Sequence, residues 1–146
     1  MGELVAIARK AKSRAPMEEI DRVRVTQEAG IAGDYRGRRP RNRQVTVLSA
    51  DVWDRVCGEL GAEIAWTTRR ANLLVRGVAL PRRAGARLTV GALELEVGME
   101  TAPCERMDEQ HQGLTAALKP DWRGGVCCRV LNDAEIRIGD PVTVEG

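Results

Sequence analysis

The stretch RLTVGALELEVG, residues 87–98, constrains the fold most. Leu88, Val90, Leu93, Leu95 and Val97 point one way, Thr89, Glu94 and Glu96 point the other, and Gly91 turns the chain between them. A period of two across a glycine turn predicts an antiparallel hairpin with one buried face.

The rest of the chain leans the same way. With no Phe and four aromatics in all, its 43% apolar residues must build a core from Val, Leu, Ile and Ala. Leu4 to Ile7 and Ile20 to Val25 read as short strands, and Gly30-Ile31-Ala32-Gly33-Asp34 as turn chemistry. Gln44 to Leu48 alternates and is β-branched, so it reads as a strand. Ser49 is the expected N-cap of the clearest helix, with Asp51 in its first turn. Val52, Trp53, Val56, Cys57 and Leu60 recur at helical spacing, and Gly61 is a natural stop. Leu73 to Val75 and Val126 to Leu131 read as strands, and 134–145 as two strands about a turn at Gly139-Asp140-Pro141. Residues 113–119 read as a short helix ended by Pro120, inside an irregular stretch, 99–125. Close-set strands with one good helix predict a mostly β barrel or sandwich.

The length of 146 residues predicts one domain, 1–146. A net charge of +2 does not by itself imply a polyanionic partner. No apolar run approaches a membrane span, and the N-terminus reads as a first strand rather than a signal peptide. Cytoplasmic location and reduced thiols are the expectation. The cysteines, Cys57, Cys104, Cys127 and Cys128, form no C-x-x-C pair, and His111 is the sole histidine, so a closed zinc site is poorly supported.

Cys104 follows Pro103, which ends a strand by fixing φ and removing a donor. Three readings compete for it: a packing thiol, a sulfur nucleophile or a metal ligand. Its neighbours Glu105, Arg106, Asp108 and Glu109 argue against a wholly apolar setting, and a nearby guanidinium favours thiolate. Cys57 reads as core. Cys127 and Cys128 share a strand and face opposite ways, so one is expected in the core and the other is a candidate to face a pocket. Packing is the favoured reading for both.

Arg36, Arg38, Arg39, Arg41 and Arg43 fall within eight residues. A nucleic-acid surface, a dock for a small anion and a solvated loop are the three readings. The chain shows no nucleic-acid motif and no aromatic platform beyond Tyr35, which disfavours the first. Arg69, Arg70 and Arg123 add cations at other strand ends. Asp34 either caps its glycine turn or orients a ligand, and His111 in DEQHQ is expected to face solvent.

An ordered set of motifs runs through the chain: Gly33-Asp34, Arg43-Gln44-Val45, Arg70-Ala71-Asn72-Leu73 with Gly77, then Leu80, Gly85, Leu88 and Gly91. Pro103-Cys104, Arg123-Gly124-Gly125-Val126, Arg129-Val130 and Gly139-Asp140-Pro141-Val142 complete it. Together they resemble a MOSC domain, named for the C-terminal part of molybdenum cofactor sulfurases, over about residues 30–144. The resemblance implies a mainly β fold with a few helices, a MOSC-type barrel like that of pyruvate kinase. It implies a functional cysteine at Cys104, which either carries sulfur as a persulfide or ligates molybdenum in a pterin cofactor. Arg43, Arg70, Asn72, Asp34 and Arg123 are the implied cofactor-binding residues. Tyr35 and Arg36 stand where many members carry a histidine.

Two activities follow from the resemblance. One is reduction of N-hydroxylated or similar small compounds, with electrons from a separate protein. The other is sulfur carriage, loaded by a separate pyridoxal-phosphate desulfurase, since 146 residues are too few to hold that domain. The alternative from the residues alone is a non-catalytic module binding an anion or nucleic acid through residues 36–43.

Overall fold

Residues 2–12, 15–35, 43–103 and 106–145 are described by a computed structural model. Cys104 and Arg36, Arg38, Arg39 and Arg41 lie outside the described residues.

The strands are β1 (Gly2–Arg9), β2 (Glu18–Ile20), β3 (Arg22–Thr26), β4 (Gly30–Ile31), β5 (Val45–Ser49) and β6 (Leu73–Arg76). They continue with β7 (Arg87–Val90), β8 (Leu93–Glu100), β9 (Val126–Val130), β10 (Ala134–Arg137) and β11 (Pro141–Glu145). The helices are α1 (Ala50–Leu60), α2 (Arg106–Gln110) and α3 (Leu114–Leu118), with 3-10 turns at Trp66–Arg69 and Pro120–Trp122.

The hairpin forms in the register that its alternation requires, with Leu88 opposite Leu95 and Val90 opposite Leu93. All four are buried, while Glu94 is exposed. From this hairpin the sheet continues in both directions, β7 to β11 and β8 to β9, β5 and β6. β1 pairs with both β6 and β11, which closes a seven-stranded ring. β2 extends the sheet beside the far end of β1. Closure removes most of the free edges that an open sheet would present. Among the described residues only β5 and β6 run parallel, and α1 is the crossover between them. A separate three-stranded sheet, β10-β3-β4, shares the barrel's core through Val23, Val25, Ile31, Ala134 and Ile136.

α1 begins and ends as its sequence predicts. Ser49 Oγ accepts a hydrogen bond from the Val52 N–H at 3.2 Å, satisfying one of the donors that a helix start leaves over. Gly61 closes the helix in the left-handed region at φ 63°, where a side chain is costly. Trp53 and Val56 face a second apolar cluster with Leu48, Ala71, Met107, Leu114 and Leu118, which packs the helices on the outside of the barrel.

Three expectations are corrected. The strand expected over 20–25 is two, β2 and β3, divided at the exposed Asp21. Gly30-Ile31 is a short strand rather than turn alone, because Val25 and Thr26 pair with it. The stretch 99–125 is less irregular than its sequence suggests, since β8 runs on to Glu100 and α2 precedes the expected short helix, α3. At five residues, α2 is too short to show a periodic pattern and depends on tertiary packing.

Candidate functional site

Strand alternation divides each barrel strand between interior and exterior. Val45, Val47, Leu73, Val126 and Cys128 belong to the barrel core. Thr46, Asn72 and Cys127 take the other face, where a buried polar side chain must find partners. They find them in a chain that crosses five strands.

At one end of that chain is the Gly33-Asp34 turn. Gly33 has φ 80°, and the Arg9 guanidinium lies about 3.0 Å from where a Cβ would be, so a bare glycine is needed there. The turn sets Asp34 against the end of β1, where its Oδ1 accepts the Lys10 N–H at 3.0 Å. Tyr35 N–H donates to the Lys10 carbonyl at 3.0 Å, and Lys10 Nζ lies 5.0 Å from the centre of the Tyr35 ring. Lys10 is only 3% exposed, and Asp34 is buried too. A buried lysine beside a buried carboxylate is an uncommon pairing. Sequence reasoning missed Lys10 because its partners are 24 residues away.

Asn72 is the middle of the chain and is fully buried. Its Oδ1 accepts from Thr46 N at 3.0 Å and from Thr46 Oγ1 at 3.2 Å. Its Nδ2 donates to the Ala8 carbonyl at 3.2 Å. One side chain thus ties β5 and β1 to the start of β6. Thr46 lies opposite Cys127 on β9. Cys127 Sγ is 3.2 Å from Thr101 Oγ1, just past β8 and three residues before Cys104.

The two cysteines of β9 therefore differ as their alternation requires. Cys128 lies in the barrel core, where burial first and the neighbouring Cys127 second push its thiol far above the ordinary range. Cys127 faces the polar chain. Cys57 packs at the edge of the helical cluster. His111 is half-buried, with its N–H on the Met107 carbonyl at 3.0 Å.

The candidate arginines occupy different settings. Arg70 sits at φ 60°, ψ 28°, closing the 3-10 turn just before Asn72, with its side chain exposed. A non-glycine residue held there costs about 1–3 kcal/mol. No ion pair or hydrogen bond ties its guanidinium to another side chain among the described residues. Arg43 is exposed where the chain enters β5. Arg123, in contrast, grips Glu59 of α1 with both nitrogens, at 2.7 and 3.0 Å, and also donates to the Ala117 carbonyl at 3.1 Å. This hydrogen bonding holds the Glu59 carboxyl below its ordinary range.

Two adjoining surface clefts open beside the Asp34 turn. One, of about 430 Å³, is lined by Ala11, Ala29, Ile31, Gly33, Asp34 and Tyr35. The other, of about 500 Å³, shares Ala11 and Gly33 and adds Arg9, Lys10 and Glu18. Each is the size of a small-molecule site. Among the described residues no group of three His, Cys, Asp or Glu side chains could hold a metal ion.

The sequence model of the MOSC domain matches residues 30–143. The chain belongs to the MOSC domain family. Solved structures carry the same fold. This MOSC chain superposes on the YuaD protein of Bacillus subtilis with a TM-score of 0.81 at 18% identity, covering 100% of this chain and 97% of that one. YiiM of Geobacillus stearothermophilus gives 0.77 at 15% identity, covering 100% and 76%. YiiM of Escherichia coli gives 0.71 at 14% identity, covering 99% and 70%. No curated protein matches the sequence. No helix among the described residues is long and apolar enough to cross a membrane.

Proposed function

We propose that this MOSC domain binds a molybdenum–pterin cofactor beside the Asp34–Lys10 contact, with Arg70 and Arg43 as its exposed cations, and reduces N-hydroxylated or similar small compounds there. The observation that carries the reading is Arg70. It is an exposed guanidinium held in a costly backbone conformation, beside a fully buried Asn72 that locks its segment to two strands. Strain of that kind persists where the surroundings over-determine it, and a guanidinium fork matches phosphate oxygens.

The residues fit a phosphate-bearing pterin. Arg70 and Arg43 supply exposed cations, Lys10 a buried one, and Asp34 an acceptor for ring N–H groups. Asn72 and Arg123 hold the frame through Thr46, Ala8 and Glu59. Cys104 offers a thiolate, a soft donor suited to a metal centre. The cofactor, when bound, supplies a metal that changes oxidation state. The protein's part is to bind, orient and shield it. A separate electron-transfer protein delivers electrons, and the protein works in the cytoplasm.

Sulfur carriage on Cys104, loaded by a separate desulfurase, is the second reading. The observation on its side is Cys127, a second thiol off the barrel core and in contact with Thr101.

Equilibrium dialysis against the metal-free pterin phosphate tests the binding. Saturable, salt-sensitive binding that weakens about tenfold in Arg70→Ala is expected, since one charge-assisted pair contributes on that scale. No binding by the folded wild type overturns the cofactor reading and leaves sulfur carriage.

A further inference from the structure

Ser49, the last residue of β5, borders a small cavity of about 70 Å³. It lies at the other end of that strand from Arg43 and shares no lining residue with the clefts beside Asp34. Val52, Leu80, Trp122 and Val126 give it apolar walls. Trp122 is half-buried and packs against the barrel core, so its ring is a fixed wall. Arg82 and Asp121 line the cavity too and are exposed, which places them at its mouth.

The backbone at that mouth is strained. Asp121 and Trp122 both stand in the left-handed region, at φ 55° and 54°. Two such residues in succession are costly for side chains with a Cβ, and they persist where the surroundings over-determine them. The turn they make puts the Trp122 ring in the wall and the Asp121 carboxylate at the opening. Asp121 Oδ1 lies 3.3 Å from Arg82 Nη1, with both side chains more than half exposed, so the pair is a weak one. Arg123, the other cation on the lining, is already held by Glu59. An apolar cavity of about 150 Å³ admits benzene, so about half that volume takes a branched group of roughly three or four carbons. Apolar walls with one cation and one anion at the mouth match a small zwitterion.

We propose that this cavity binds a small aliphatic α-amino acid, at a site separate from the cofactor site and independent of that reading. The side chain enters between Trp122 and Leu80. The α-carboxylate meets the Arg82 fork, and the α-ammonium meets the Asp121 carboxylate. Each member of a weak surface pair thereby gains a partner beside an apolar wall, where water screens it less.

Isothermal titration of the full chain with L-leucine tests the site, beside Asp121→Asn, Arg82→Gln and Ala79→Phe. Asparagine tolerates the left-handed region, so Asp121→Asn removes the charge and keeps the turn. Ala79 is an exposed lining residue, and Ala79→Phe fills the cavity while keeping every charge. Saturable binding is expected in the wild type, weakened about tenfold or more in each variant. Isocaproate lacks the ammonium, isoamylamine lacks the carboxylate and glycine lacks the side chain. Each is expected to bind the wild type about tenfold more weakly than leucine, or worse.

No saturation of the folded wild type by about 10 mM L-leucine overturns the proposal. So does leucine binding that Ala79→Phe leaves unchanged, which puts the ligand elsewhere. Equal binding of leucine, isocaproate and isoamylamine also overturns it, since neither charge is then recognised. The ligand series uses the wild type alone, so it decides even if a variant does not fold. Loss of the cofactor reading leaves this test unchanged.

Discussion

Glu59 and Arg123 are joined by two hydrogen bonds, 2.7 and 3.0 Å long, across 64 residues of sequence. The pair fastens α1 to the Arg123-Gly124-Gly125 turn, which leads into β9. Lowering of the Glu59 pKa by Arg123 means that the folded state favours the charged carboxylate. That stability is present above the unfolded-state value, about 4.3 for Glu, and is lost as pH falls from there toward the lower folded value. Asp108, held low by the Thr115 N–H, acts in the same sense. The thermal midpoint is therefore expected to fall as pH drops below about 4.5, with a shallower fall in Glu59→Gln. Matching pH profiles for the two proteins would contradict the assignment.

Asn72 carries a larger share of the frame. Asn72→Ala strands the Thr46 N–H and the Ala8 carbonyl in a buried setting. Each stranded group costs about 1–3 kcal/mol, so a loss of about 3 kcal/mol is expected. A melting curve should show it as a drop of roughly 10 °C for a chain of this size.

Gly125 should tolerate no side chain. Its φ is 97°, and a Cβ would lie 2.3 Å from the Val47 carbonyl oxygen of β5. Backbone cannot move aside as a flexible side chain can, so Gly125→Ala is expected to cost about 3 kcal/mol or more. Denaturant titration beside Gly58→Ala, which meets open space, checks it.

Cysteine chemistry should follow burial. In the native protein Cys128 is expected to resist alkylation until global unfolding, because burial disfavours its thiolate. Cys57, half-buried with Sγ 3.9 Å from the Ile64 carbonyl, should react at an intermediate rate. Alkylation of Cys128 ahead of Cys57 would place the strand's alternation in the wrong phase.

The parts of this architecture that were legible in the sequence are those fixed by neighbours. The 87–98 hairpin, the Ser49-to-Gly61 helix and the opposite facing of Cys127 and Cys128 each depend on residues a few positions apart. Barrel closure is not of that kind, since β1 meets β11 only after nearly the whole chain has passed. Nor is the pairing of Lys10 with Asp34, or the hydrogen bonding of Arg69 to the Thr101 and Gly124 carbonyls. Adjacent arginines look alike in a string of letters. The left-handed turn at Arg70 separates them, and it is set by the packing of the 3-10 turn before it. The five-residue helix α2 escaped notice for want of a repeat, whereas α3 was legible from the Leu114–Leu118 run before Pro120.

The central claim is a molybdenum–pterin site whose metal is held by Cys104. Its most direct test is the molybdenum and pterin content of the protein purified from a host that makes the cofactor, beside Cys104→Ser and a loaded control molybdoenzyme. Near-stoichiometric molybdenum with pterin in the wild type, and loss of the metal in Cys104→Ser, is the predicted result. Wild-type protein free of both, while the control is loaded, would contradict the claim.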